Sequence, residues 1–74
     1  MKIGAIAQTL FYATKGYEKA LKKNSAYSEL EWKELTVTQK DNWLHEAQRY
    51  STMSEMPQGN ERFRMMYFLV KSLK

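Results

Sequence analysis

Trp32-Lys33-Glu34-Leu35-Thr36-Val37-Thr38-Gln39-Lys40-Asp41-Asn42-Trp43-Leu44-His45-Glu46-Ala47-Gln48-Arg49-Tyr50 holds both tryptophans of the chain and, near its middle, the start signal of a helix. Thr36 is placed to cap that helix, with Gln39 three residues on able to reach back to the cap's own N–H; Thr38 with Asp41 offers a second start. The helix is predicted to begin near Val37. Trp43, Leu44, Ala47 and Tyr50 then fall at i, i+1, i+4 and i+7, which gathers the apolar surface on one stripe and turns Asp41, His45, Gln48 and Arg49 away from it. This is the pattern of an anchor helix with a polar back.

Upstream, Ile3, Ile6, Ala7, Leu10, Ala13, Tyr17 and Leu21 recur at three- and four-residue steps, so residues 3–23 read as a first helix with these residues toward the core. Its other face lines up Lys15, Lys19 and Lys22, with Lys23 beside them and Tyr12 one turn back. Gly16 weakens the helix by about 1 kcal/mol relative to alanine and marks a bend or a close helix contact. Asn24-Ser25 ends it, and Ser28-Glu29-Leu30-Glu31 reads as a capping box that opens a short helical turn through Glu34, bringing Leu30, Trp32 and Leu35 to the core. Downstream, Met56-Pro57-Gln58-Gly59-Asn60 breaks the chain, because proline stops a helix and glycine permits the turn. Asn60 can cap a last helix from Glu61 to about Leu73, with Phe63, Met66, Tyr67, Val70 and Leu73 on its core stripe. Strand-like alternation, internal repeats and low-complexity segments are missing from the sequence. The expected fold is all-α: a single domain over residues 1–74, a compact bundle of three main helices and one short connecting turn, packed around Leu10, Trp32, Trp43 and Met66.

Seventy-four residues bury only about 60% of the surface that the unfolded chain exposes, so a modest stability is expected. The chain has no cysteine, hence no disulfide framework and no thiolate metal site; its core must come from helix packing, which self-association could extend. No apolar run approaches the roughly 20 residues of a membrane span, and Met1-Lys2-Ile3-Gly4 is no secretory leader, so a soluble, cytoplasmic protein is expected, without membrane partners. Twelve basic against eight acidic residues give a formal charge of +4, which favours anionic partners at long range, while 43% hydrophobic and 14% aromatic content sets the chain apart from disordered basic tails.

The spacing Trp32, Leu35, Thr36, Lys40, Trp43, Ala47 resembles the junction of the second and third helices of an HMG box, which reads Trp, Leu at +3, Ser at +4, Lys at +8, an aromatic at +11 and Ala at +15. The match covers about sixteen residues. It stops upstream, where an HMG box has a longer second helix with glycine before the tryptophan and a basic, proline-containing N-terminal strand. The same Trp-x-x-Leu-Thr pattern is similar to many short helical proteins of bacteriophages and other mobile elements. The first resemblance implies nucleic-acid binding; the second implies an accessory or regulatory role in a host cytoplasm.

Candidate chemistry is sparse. His45-Glu46-Ala47-Gln48-Arg49 begins like the zinc-protease signature His-Glu-x-x-His, but Arg49 stands where the second ligand belongs, and a cation there repels the metal. With one histidine, no cysteine, no glycine-rich loop and no convergent acid–base pair, the chain is read as a non-enzyme without cofactor, metal or small-molecule substrate. The first binding candidate is the lysine face, Tyr12, Lys15, Lys19, Lys22 and Lys23, whose ammonium groups could bridge phosphates while the ring stacks. Its plain alternative is a solvated helix face, flanked by Glu18. The second candidate lies on the last helix, where Phe68 points away from the core stripe with Met65 on its flank. Either the Trp32 segment or the first helix folds over that side, or Phe68 and Met65 form an exposed apolar patch rimmed by Arg64 and Lys71, fit for another protein or a second copy. The methionines Met53, Met56, Met65 and Met66 fit either an adaptable recognition surface or gap-filling in a small core; Met66 is read as core, while Met65 lies off the main stripe.

Overall fold

The computed structural model describes residues 2–21 and 30–73. Three helices, α1 (Ile3–Ala20), α2 (Val37–Thr52) and α3 (Glu61–Leu73), pack around one core, and a short 3-10 turn, Trp32–Glu34, precedes α2. Among the described residues there is no strand.

Each helix boundary has a local cause. The Thr36 hydroxyl accepts from the Gln39 N–H at 3.1 Å and the Gln39 side chain accepts from the Thr36 N–H at 2.9 Å, the reciprocal box that the sequence offers. At the head of α3 the Asn60 side chain accepts from the Arg62 N–H at 2.8 Å. One residue earlier Gly59 has φ 91°, a left-handed conformation that only glycine adopts without strain. The 3-10 turn begins at Trp32 with Glu31 in the cap position, and the Glu34 carboxylate accepts from the Glu31 N–H at 2.9 Å. The expected cap at Ser28 lies outside the described residues.

Side-chain contacts fix the directions of the helices. Lys71, near the end of α3, donates to the carbonyl of Ser51, near the end of α2, at 3.1 Å. Arg62 and Phe63, at the start of α3, line one groove with Asn42 and Trp43 in the first half of α2. α2 and α3 therefore run side by side in the same direction, and the eight-residue connection 53–60 has to return along them. Eight extended residues reach about 26 Å, slightly more than the roughly 24 Å length of α2, so the return is feasible without a further element. Glu18, near the end of α1, pairs with Arg62 at 3.3 Å. The body of α1 can then lie along α3 only by running antiparallel to it.

The core comprises Ile6, Ala7, Leu10, Phe11, Leu35, Trp43, Ala47, Tyr50, Met66 and Val70, with Ile3, Leu30, Trp32, Leu44, Met53, Met65, Tyr67, Leu69 and Leu73 packed against it. Phe11 is its aromatic hub, meeting Trp43 edge-on at 5.5 Å between ring centroids and Trp32 at 5.8 Å. Two expectations are corrected here. The buried face of α1 is rotated toward Phe11 and Thr14, because the two tryptophans close over that side; α1 ends at Ala20, and Leu21 is 48% exposed rather than in the core. Phe63, placed on the core stripe of α3, is 42% exposed at the lip of the α2–α3 groove. Buried Thr14 is satisfied locally, its hydroxyl donating to the Leu10 carbonyl at 2.8 Å.

Candidate functional site

Three regions of the surface carry the residues singled out by sequence. On the first, Tyr12 and Lys15 come together, but they are occupied with the fold. The Tyr12 hydroxyl donates to the Glu31 carboxylate at 2.9 Å and accepts from the Trp32 N–H at 3.0 Å. Lys15 donates to the Leu30 carbonyl at 2.7 Å, approaches Glu31 at 3.9 Å and lies 5.8 Å from the centre of the Tyr12 ring. These contacts hold the segment ahead of α2 against α1. Lys19 is exposed near the end of α1, while Lys22 and Lys23 lie outside the described residues.

The second region is the groove between α2 and α3, about 210 Å³, lined by Asn42, Trp43, Glu46, Arg62, Phe63 and Met66. Trp43 from α2 and Phe63 and Met66 from α3 give it apolar surface, and Asn42, Glu46 and Arg62 give it polar groups. The Nη2 of Arg62 is engaged by Glu18, and its Nε is buried without a hydrogen-bond partner among the described residues. On α2, burial pushes the Tyr50 hydroxyl above the ordinary tyrosine value of 10.0, and the Glu46 carboxylate adds to the rise against smaller opposite pulls from Arg49 and Arg62.

The third region is the outer face of α3. Arg64, Met65 and Phe68 line an open groove of about 440 Å³ together with Met56 and Glu61. Phe68 is 60% exposed. Among the described residues, neither the Trp32 segment nor α1 lines this groove, and Met56, on the return connection, borders it from outside α3. Periodicity within α3 places Arg64, Met65 and Phe68 together, but Met56 arrives from outside the helix and sequence reasoning did not join it to them. Lys71, grouped with this patch by sequence, turns instead to the Ser51 carbonyl and lies 5.6 Å from the centre of the Tyr67 ring, bracing α3 against α2. Glu61 and Arg64 have no ion-pair partner among the described residues.

His45 is exposed on the polar side of α2, and among the described residues no group of three or more His, Cys, Asp and Glu gathers as a metal site. Among the described residues, no helix is long and apolar enough to cross a membrane. No family model, no curated protein and no solved structure matches the chain.

Proposed function

We propose that the chain is a small accessory or regulatory protein of the kind phages and mobile elements encode, working by docking in the cytoplasm rather than by catalysis, through the outer face of α3. The carrying observation is Phe68, 60% exposed beside Met56 and Met65. The exposed ring shares one groove with two thioethers, exposed Met56 and Met65, which is partly buried against the core, and thioether side chains repack around varied partners. Single exposed apolar residues need no such explanation: Val37 is 77% exposed at the start of α2 and lines neither groove. The test compares Phe68→Ser with Val37→Ser, both checked for helicity by circular dichroism. Binding to a partner or to a second copy is expected to fall in the first and persist in the second. Equal binding by the two variants rules out this face.

The competing reading, a nucleic-acid module like an HMG box using the lysine face, draws on the formal charge of +4. It is the less supported of the two, because Lys15 and the Tyr12 hydroxyl are already committed to Leu30, Glu31 and Trp32. It predicts duplex binding that weakens with salt at a log–log slope of about −0.9 per phosphate neutralised and drops in folded Lys19→Glu, Lys22→Glu. Absence of binding at low salt removes it.

A further inference from the structure

We propose that the occupant of the α3 outer face is a second copy of this chain, docked about a two-fold axis with the two α3 helices antiparallel and each Phe68 ring seated in the other copy's groove. This rests on the reading of that face as the docking surface and names its partner.

Charge on the patch is self-complementary. Glu61 and Arg64 both border the groove, three residues apart, and neither has an ion-pair partner within the described chain. A two-fold axis passing between Arg64 and Met65 sets Glu61 across from the partner's Phe68 and within about one helical turn, 5–6 Å along the axis, of the partner's Arg64. Arginine's length spans that offset, and symmetry makes the pair twice. The patch itself is neutral in a chain of formal charge +4, so two such faces can meet without local repulsion.

Shape points the same way. Among the described residues, Met56, Met65 and Phe68 line the groove beside one acidic residue, Glu61, and one basic residue, Arg64, so one surface supplies both the ring and the hollow that receives it, as a self-facing interface requires. At about 440 Å³ the groove holds a phenyl ring with room for the thioethers of Met56 and Met65 to close on it. A 13-residue helix is about 20 Å long, so a pair of such faces buries area at the low end of specific interfaces, below about 1,200 Å² in total. The association is therefore expected to be weak and reversible.

The experiment is sedimentation of the full chain from low micromolar to millimolar concentration, with charge reversals at two exposed positions that leave the core untouched. Wild type is expected to pass from monomer to dimer mass. Glu61→Arg alone and Arg64→Glu alone are each expected to raise the dissociation constant about tenfold or more, because each places like charges across the axis twice. An equimolar mixture of the two single variants restores a dimer, now mixed, since each positive face meets a negative one. Monomer mass at millimolar concentration overturns the second copy as occupant and leaves the docking face itself to be judged by the Phe68→Ser comparison. A dimer that survives both charge reversals unchanged overturns the proposal as well, because its interface is then elsewhere. If Phe68→Ser fails to fold, the charge reversals still decide.

Discussion

Phe11 and Trp43 meet edge-on in the centre of the fold, and the chain's modest size makes each of them decisive. Trp43→Ala removes one of the largest buried side chains and is expected to cost about 3–5 kcal/mol. That equals what a core of this size supplies, about 3–5 kcal/mol, so the variant should show no cooperative thermal transition by circular dichroism. A transition within a few degrees of wild type contradicts the placement of Trp43. Tyr12 makes a different contribution, since its ring is partly exposed and its hydroxyl joins α1 to the start of the 3-10 turn through two hydrogen bonds. Tyr12→Phe keeps the ring and loses both bonds, which predicts a loss of about 1–2 kcal/mol in denaturant unfolding. Had the tyrosine been a solvated member of a phosphate-binding face, removing its hydroxyl would leave stability unchanged.

The helices differ in how much their own sequences stabilise them. Gly16 lies in α1 with open space where a side-chain carbon would go, so the close helix contact allowed by its sequence position does not occur among the described residues. Gly16→Ala is therefore expected to stabilise by about 0.8–1 kcal/mol. For a domain of this length that raises the melting temperature by about 4–8 °C. Gly59 has equally open space but φ 91°, so Gly59→Ala meets backbone strain instead of steric contact. It should destabilise by about 1–3 kcal/mol. The two glycine-to-alanine changes thus have opposite signs for a conformational reason alone, measurable side by side in one thermal melt.

The whole molecule couples one buried proton to its folding. The Tyr50 hydroxyl is raised above 10.0 by burial first and by Glu46 second, so the folded state disfavours tyrosinate more than the unfolded chain does. A raised folded value means this contribution is fully present below the unfolded value and is lost as pH climbs through the folded one. Stability should therefore fall in the alkaline range above about pH 10, where an ordinary tyrosine ionises. Tyrosinate absorbance is expected to rise together with the loss of helical circular dichroism, and Tyr50→Phe should remove that component of the alkaline transition. Persistence of the same transition in Tyr50→Phe would falsify the assignment.

Helix identity and the starts of α2 and α3 were legible in the sequence because their causes are local. The Thr36–Gln39 box, the Pro57–Gly59 break and the Asn60 cap each act over three or four residues, and the stripe of Trp43, Ala47 and Tyr50 follows from helical periodicity alone. What periodicity leaves open is where a face points once neighbours arrive. Phe11 entered the core because Trp32 and Trp43, distant in sequence, closed over that side of α1, and the same closure drew Tyr12 and Lys15 into contacts fifteen to twenty residues away. Lys71 left the α3 patch for Ser51 because α2 and α3 run in the same direction, and that direction sent the connection back past Phe68 with Met56 on it. The sequence by itself determined three helices, the caps of α2 and α3 and most of their apolar residues; the packing of non-adjacent elements decided which aromatic rings were buried, which cations were occupied and which face of α3 remained open, since those outcomes depend on contacts that no local spacing encodes.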